Sequence, residues 1–245
     1  MEKTAVAALI DDTILKAVAR REDIERLCAE AKSHGFASVC VNPVHVPLAA
    51  RLLAGSEVAV CTVVGFPLGA TSSPIKAAEA AWTVAQGATE VDMMIDIGAA
   101  KEGRFDDVEA DIAAVVQASK DALVKVILEV CYLSDAEIVA CCQAAVRAGA
   151  HFVKTSTGKI PVAATPEAAV VMCTAIRDYY QKTGRKVGFK AAGGIRSAEE
   201  AALFYTIVEE ILGKEWCSPA LWRIGASSLA NGLISAIVGE QVKYF

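Results

Sequence analysis

The chain has 245 residues, of which 54% are hydrophobic and 22% charged, and its formal net charge is −5. That balance excludes a disordered chain, and it excludes the overall basic footprint of a nucleic-acid binder. Any anionic ligand must therefore be met by a local group of donors.

Parallel strands buried on both faces read as short continuous apolar runs. The first run is weak, "AALID" at 7–11. A helical stretch follows at 21–35, with Ile24, Leu27, Cys28 and Ala31 on one face and Gly35 as its stop. Strands are expected next at 37–41 ("ASVCV") and 57–65 ("EVAVCTVVG"). The helix of 73–88 takes Ser73 as N-cap, Pro74 as first helical residue and Gly87 as stop. Strands at 90–96 ("EVDMMID") and 123–130 ("LVKVILEV") come before a helix at 134–150. That helix opens on a capping box, Ser134 with Glu137. The strand "HFVKTS" (151–156) leads to a helix that begins Thr165-Pro166-Glu167 and ends at Gly184. The strand "VGFKAAGG" (187–194) leads to a second capping box, Ser197 with Glu200. The last strand is "LWRIGAS" (221–227).

Strand and helix alternate throughout, which demands a parallel sheet with right-handed crossovers. An open doubly wound sheet usually carries a glycine fingerprint after its first strand, and none follows Asp11. The expected fold class is α/β, a single (β/α)8 TIM barrel over residues 1–245 with an extra N-terminal segment.

Of the eight cysteines, Cys40, Cys61 and Cys131 lie at or near strand-like runs, Cys141 and Cys142 are adjacent in a helical pattern, and no pair has C-x-x-C spacing. They read as reduced thiols in a cytoplasmic protein. The opening "MEKTAVAALIDD" has no apolar signal core. The longest uncharged stretch, 58–75, is broken by glycines and prolines and suits a strand with its loop rather than a membrane span. His34, His45 and His151 form no metal pattern.

Barrel active sites form where strands end. Asp92, Lys125, Glu129, Lys154 and Lys190 all lie in or at the end of strand-like runs. A lysine attacks a carbonyl only when neutral, and a second ammonium plus desolvation favours that state. Lys154 and Lys190 thus suggest a nucleophile and its activator, with Asp92 moving protons. The plain alternative is that each lysine stem packs along the barrel while its amine reaches water. Asp92 could equally serve a structural ion pair, and Lys125 and Glu129 read as an internal network. Two loops of small residues, with Gly193-Gly194 and with Gly225, Ser227 and Ser228, precede helical patterns and suit phosphate. Arg196 could neutralise that phosphate or cap its loop.

At these residues the chain resembles the deoxyribose-phosphate aldolase family. The matching pieces are "LIDDTILK" (9–16), "SVCVNP" (38–43), "VCTVVGFPLG" (60–69), "EVDMMIDIGAAKEG" (90–103), "KVILEV" (125–130), "FVKTSTGK" (152–159), "VGFKAAGGIRS" (187–197) and "WRIGASS" (222–228). The resemblance implies a class I aldolase in a (β/α)8 barrel, using no metal and no organic cofactor. It implies Lys154 as the Schiff-base lysine, Lys190 as the lysine that depresses its pKa, and Asp92 as the proton relay. Lys159, Gly193, Gly194, Gly225, Ser227 and Ser228 would hold the substrate, mostly its phosphate. Asp11 and Thr13 match the family's first-strand D-x-T, and Cys40 matches a cysteine near the substrate. The implied partners are a small phosphorylated sugar and acetaldehyde, with no nucleic acid and no membrane, in a homodimer. Two residues depart from the family pattern, Asp12 for a histidine or apolar residue and Val130 for a threonine, both expected near the mouth. The closing "VKYF" either reaches back toward a phosphate or frays. A Schiff-base aldolase for a different sugar phosphate, and a non-catalytic sugar-phosphate-binding barrel, remain open on the residues alone.

Overall fold

Each apolar run becomes a strand because it is covered twice, by helices outside and by facing strands inside. The computed structural model describes residues 6–195 and 197–225. β1 (Ile10–Ile14) leads to α1 (Arg21–His34), and β2 (Ser38–Val41) to α2 (Val46–Leu52). β3 (Ala59–Val64) leads to α3 (Ser73–Ala85). β4 (Glu90–Met94) is followed by α4 (Ile97–Lys101) and α5 (Phe105–Ala118). β5 (Leu123–Ile127) precedes α6 (Asp135–Arg147), and β6 (Phe152–Lys154) precedes α7 (Pro166–Thr183). β7 (Gly188–Ala192), α8 (Ala198–Leu212) and β8 (Trp222–Gly225) complete the described order. The strands pair in sequence order, all parallel, and β8 returns to β1 to close the barrel. This is the expected (β/α)8 fold. Its extra N-terminal segment is described only from Val6, as a helical turn ahead of β1. Arg196, Ser227, Ser228 and the closing "VKYF" lie outside the described residues.

The helix caps follow local chemistry. Ser134 with Glu137 and Ser197 with Glu200 form complete capping boxes, and the Thr165 side chain accepts from the Ala168 N–H. Gly35 and Gly184 end their helices in the left-handed conformation. Most strands are shorter than the expected runs, and one helix start is shifted by a residue. Ser72, not Ser73, is the N-cap of α3, in extended backbone, so Ser73 is the first helical residue. A residue before proline avoids helical backbone in general, but a proline in the first turn removes only an N–H that has no helical partner. Three further helices, α2, α4 and α5, carry the chain between strands where the sequence reading placed none.

Apolar burial lies mainly between the sheet and its helices, a cluster that includes Leu27, Val39, Val91, Ile112, Val126, Met172 and Ile224. Inside the barrel the apolar group is small: Leu15, Cys40, Cys61 and Val63. Charged side chains fill much of the rest of the interior, and Phe152, in register with Lys125, lies among them beside Arg223. All eight cysteines are free thiols and six are buried.

Candidate active site

Strand register assembles the site. Asp92 on β4 pairs with Lys125 on β5, Lys154 on β6 with Lys190 on β7, and Lys190 with Arg223 on β8. Residues in register on neighbouring parallel strands point to the same face, so these side chains meet inside the barrel. Asp92 Oδ2 accepts hydrogen bonds from Lys154 Nζ at 2.6 Å and Lys190 Nζ at 2.7 Å. The two amines therefore share one oxygen. Asp92 Oδ1 accepts from Lys125 Nζ at 2.9 Å and from the Cys61 thiol at 3.2 Å. Asp11 pairs with Lys190 at 2.5 Å and Arg223 at 2.6 Å. Glu90 pairs with Lys125 at 2.6 Å and Arg223 at 2.9 Å.

Among the described residues this cluster holds three carboxylates, Asp11, Glu90 and Asp92, against four cations, Lys125, Lys154, Lys190 and Arg223. Buried ions are tolerated only when paired, and here every charge has an opposite neighbour. Burial alone would raise the Asp92 pKa, but Lys125, Lys154 and Lys190 outweigh it and hold the carboxyl well below the usual range. Burial would likewise lower Lys190, yet Asp11 and Asp92 hold it above the ordinary lysine value. Lys190 is thus a standing positive charge beside Lys154. Asp92 sits between the two amines, because burying like charges without a counterion costs too much.

A cavity of about 760 Å³ opens above the cluster, lined by Lys154 but by none of Lys125, Lys190 or Arg223. Thr13, Lys159, Gly193, Gly194 and Gly225 line it. Gly193 has φ 79°, and a Cβ there would meet Ala163 Cβ at 2.7 Å and Gly158 Cα at 2.8 Å. Gly225 is tight for space instead, since a Cβ there would lie 3.0 Å from Lys190 Cε and 3.1 Å from Ala192 Cβ. Lys159 Nζ donates to the Leu15 carbonyl at 2.5 Å, tying the β6 loop to the end of β1.

Asp11 and Asp92 do not line the cavity; they lie beneath it, within the ion network. Cys40 is also buried below the cavity, against Cys61, Val63 and Leu15. Sγ of Cys40, Sγ of Cys61 and an Asp92 oxygen lie within 4.8 Å of one another, a geometry that could hold a soft metal. Three ammonium groups on the same carboxylate oppose an added cation there. Asp12 and Val130, expected near the mouth, are buried and line no part of the cavity. Asp12 belongs with Glu30 of α1, and Val130 joins the apolar core. Lys125 joins the internal network, but Glu129 does not; it accepts two hydrogen bonds from Thr157. The sequence reading missed Arg223 and Glu90 as network members, and Lys16, Arg20 and Arg26 on the cavity's outer wall. The only signal for the first pair was a charge inside an apolar run, at "LWRIG" and "EVDMM".

A closed parallel barrel with amines and carboxylates gathered at the strand ends defines the (β/α)8 enzyme class. The sequence model of the DeoC/LacD family aldolases matches residues 5–232, and the chain belongs to that family. A deoxyribose-phosphate aldolase of Lysinibacillus sphaericus is 49% identical over 233 residues, covering 94% of this chain and 96% of the relative. One from Carboxydothermus hydrogenoformans is 52% identical over 205 residues, covering 82% and 87%. The tetrameric deoxyribose phosphate aldolase of Aeropyrum pernix superposes with a TM-score of 0.81 at 30% identity, covering 96% of this chain and 92% of that one.

Proposed function

We propose that this aldolase reversibly cleaves 2-deoxy-D-ribose 5-phosphate to D-glyceraldehyde 3-phosphate and acetaldehyde through a Schiff base on Lys154. The observation that carries the reading is the Lys154 amine on the cavity floor, 2.6 Å from Asp92 and sharing that oxygen with Lys190. The cluster has one cation more than it has carboxylates. Loss of one proton balances it, and Lys154 is the member that opens on the cavity. The neutral amine attacks the C1 aldehyde, and loss of water gives the iminium. As the C2–C3 bond breaks, its electrons move toward the iminium and the C3 hydroxyl gives up its proton. The enamine is then protonated at C2, and hydrolysis frees acetaldehyde and the lysine. Asp92, with an ordered water, relays these protons. Gly193, Gly194, Gly225 and Lys159 border the space assigned to the phosphate, and Thr13 lines the same cavity. By the family resemblance Ser227 and Ser228 serve the same phosphate. The chain works as a cytoplasmic homodimer in this reading; among the described residues no helix is long and apolar enough to cross a membrane.

Incubation with acetaldehyde and borohydride is expected to leave one stable alkyl adduct, found on Lys154 by peptide mapping. An adduct on another lysine, or none while deoxyribose 5-phosphate is still cleaved, overturns the assignment.

A further inference from the structure

Glu129 follows β5 with φ 55° and ψ 62°, a left-handed backbone that non-glycine residues seldom adopt. It is 2% exposed. Strained backbone of this kind persists only where the surroundings over-determine it, and here the constraint is visible. Glu129 Oε1 accepts the Thr157 N–H at 3.1 Å, and Oε2 accepts the Thr157 hydroxyl. Thr157 Oγ1 in turn accepts the Lys159 N–H at 3.1 Å. The main chain fastens the same segment, Leu128 N–H to the Lys154 carbonyl and Val130 N–H to the Thr155 carbonyl, each at 3.0 Å. Two parts of the cavity wall hang from this anchor. Gly158 packs so closely on Gly193 that a Cβ on it would lie 3.3 Å from Gly193 Cα. Lys159 follows and reaches the Leu15 carbonyl.

We propose that Glu129 is a positioning residue for the phosphate grip. Acting through Thr157, it sets Gly158 and Lys159 against Gly193 and touches neither the substrate nor the reacting atoms. Its negative charge does not face the phosphate, because both oxygens are turned to Thr157 donors in a buried site. The inference rests on the substrate reading above and names what orders that substrate's anionic end.

Glu129→Gln breaks this chain of donors at nearly constant volume. The new amide presents N–H to a Thr157 oxygen already accepting from Lys159, and the Thr157 proton loses its acceptor. Full-length wild type, Glu129→Gln and Thr157→Val would be assayed in the cleavage direction on 2-deoxyribose 5-phosphate and on unphosphorylated 2-deoxyribose. An interaction with a remote group that is uniform along the reaction shows in KM rather than kcat. The expected result is a roughly tenfold rise in KM for the phosphorylated sugar with kcat held within about threefold. The preference for the phosphorylated over the plain sugar should fall by about the same factor, and the double variant should be no worse than the poorer single one. Equal losses on both sugars, a loss confined to kcat, or additive single effects would overturn the role. Should Glu129→Gln not fold, Glu129→Asp keeps the charge at shorter reach and is expected to give an intermediate loss of preference; an unchanged preference overturns the role in the same way. Wild type that cleaves neither sugar would sink the substrate reading, whereas active wild type beside an unaffected Glu129→Gln sinks only this proposal.

Discussion

Lys190 is 0% exposed and holds two carboxylates at once, Asp11 at 2.5 Å and Asp92 at 2.7 Å. It leaves the cluster with its surplus positive charge. Replacing it with leucine equalises the count, three carboxylates with Lys125, Lys154 and Arg223. Lys154 then faces Asp92 without a second ammonium on the same oxygen, and a like charge beside an amine is what opposes its charged form. Lys190→Leu is therefore expected to lower turnover near neutral pH by about 10²-fold or more. The rise of activity that marks the free amine should move to higher pH. A pH–rate profile of the variant checks both; a uniform loss with the profile in place would leave Lys190 a structural role only.

Lys76 shows how two outer elements are joined. It is 0% exposed on α3, donates to Asp111 of α5 at 2.6 Å, and also donates to the Met94 carbonyl at the end of β4 at 2.9 Å. Removing one member of a buried pair strands the other, at a cost of roughly 3–5 kcal/mol, while apolar replacement of both is often neutral. Asp111→Ala is expected to lose stability on that scale in urea unfolding, and Lys76→Met with Asp111→Leu to recover most of it. A single variant within about 1 kcal/mol of wild type would show that the pair is not the strut between these helices. Elements of this kind were legible in different degrees. The strands were plain, because burial on both faces leaves continuous apolar runs, and the boxes at Ser134 and Ser197 could be read because capping is local. The buried Val108, Ile112 and Val115 of α5 have helical spacing that the sequence carries, yet the run of acids and alanines around them masks a short apolar stripe. Lys154, Lys190 and Asp92 were visible as charges inside apolar runs. Their partners were not. Arg223 meets Asp11 only because β8 closes on β1, and Glu129 meets Thr157 only through a left-handed turn that no residue type announces.

The whole molecule carries two sets of buried acids whose proton linkage runs in opposite directions. Asp11 and Asp92 are held below the ordinary carboxyl range by the lysines around them, against the effect of burial. Their contribution to stability is present above the unfolded value of 3.8 and is lost as pH falls through the lower folded values. Asp12 on β1 and Glu30 on α1 are different. Both are buried, and none of their four carboxyl oxygens makes a well-formed hydrogen bond. Burial, then the charge of Glu30, raises Asp12 well above its usual value. Burial raises Glu30 from 4.5 to about 7, with Arg26 opposing in part. The folded state therefore binds more protons than the unfolded chain between those two values. The stability this pair contributes is complete below the unfolded values of 3.8 and 4.5, and the share of Glu30 is lost as pH rises through about 7. Taken together, the two sets place maximal stability on the acid side of neutrality. Calorimetric melting temperatures are expected to fall by roughly 5 °C between about pH 5 and pH 8, and to collapse only well below the ordinary carboxyl range. Asp12→Asn combined with Glu30→Gln removes the alkaline-side decline while leaving the acid collapse, because the barrel interior is untouched. A wild-type melting temperature that is level or rising over that interval, or a double variant with the wild-type slope, would show that the pair between β1 and α1 carries no such proton linkage.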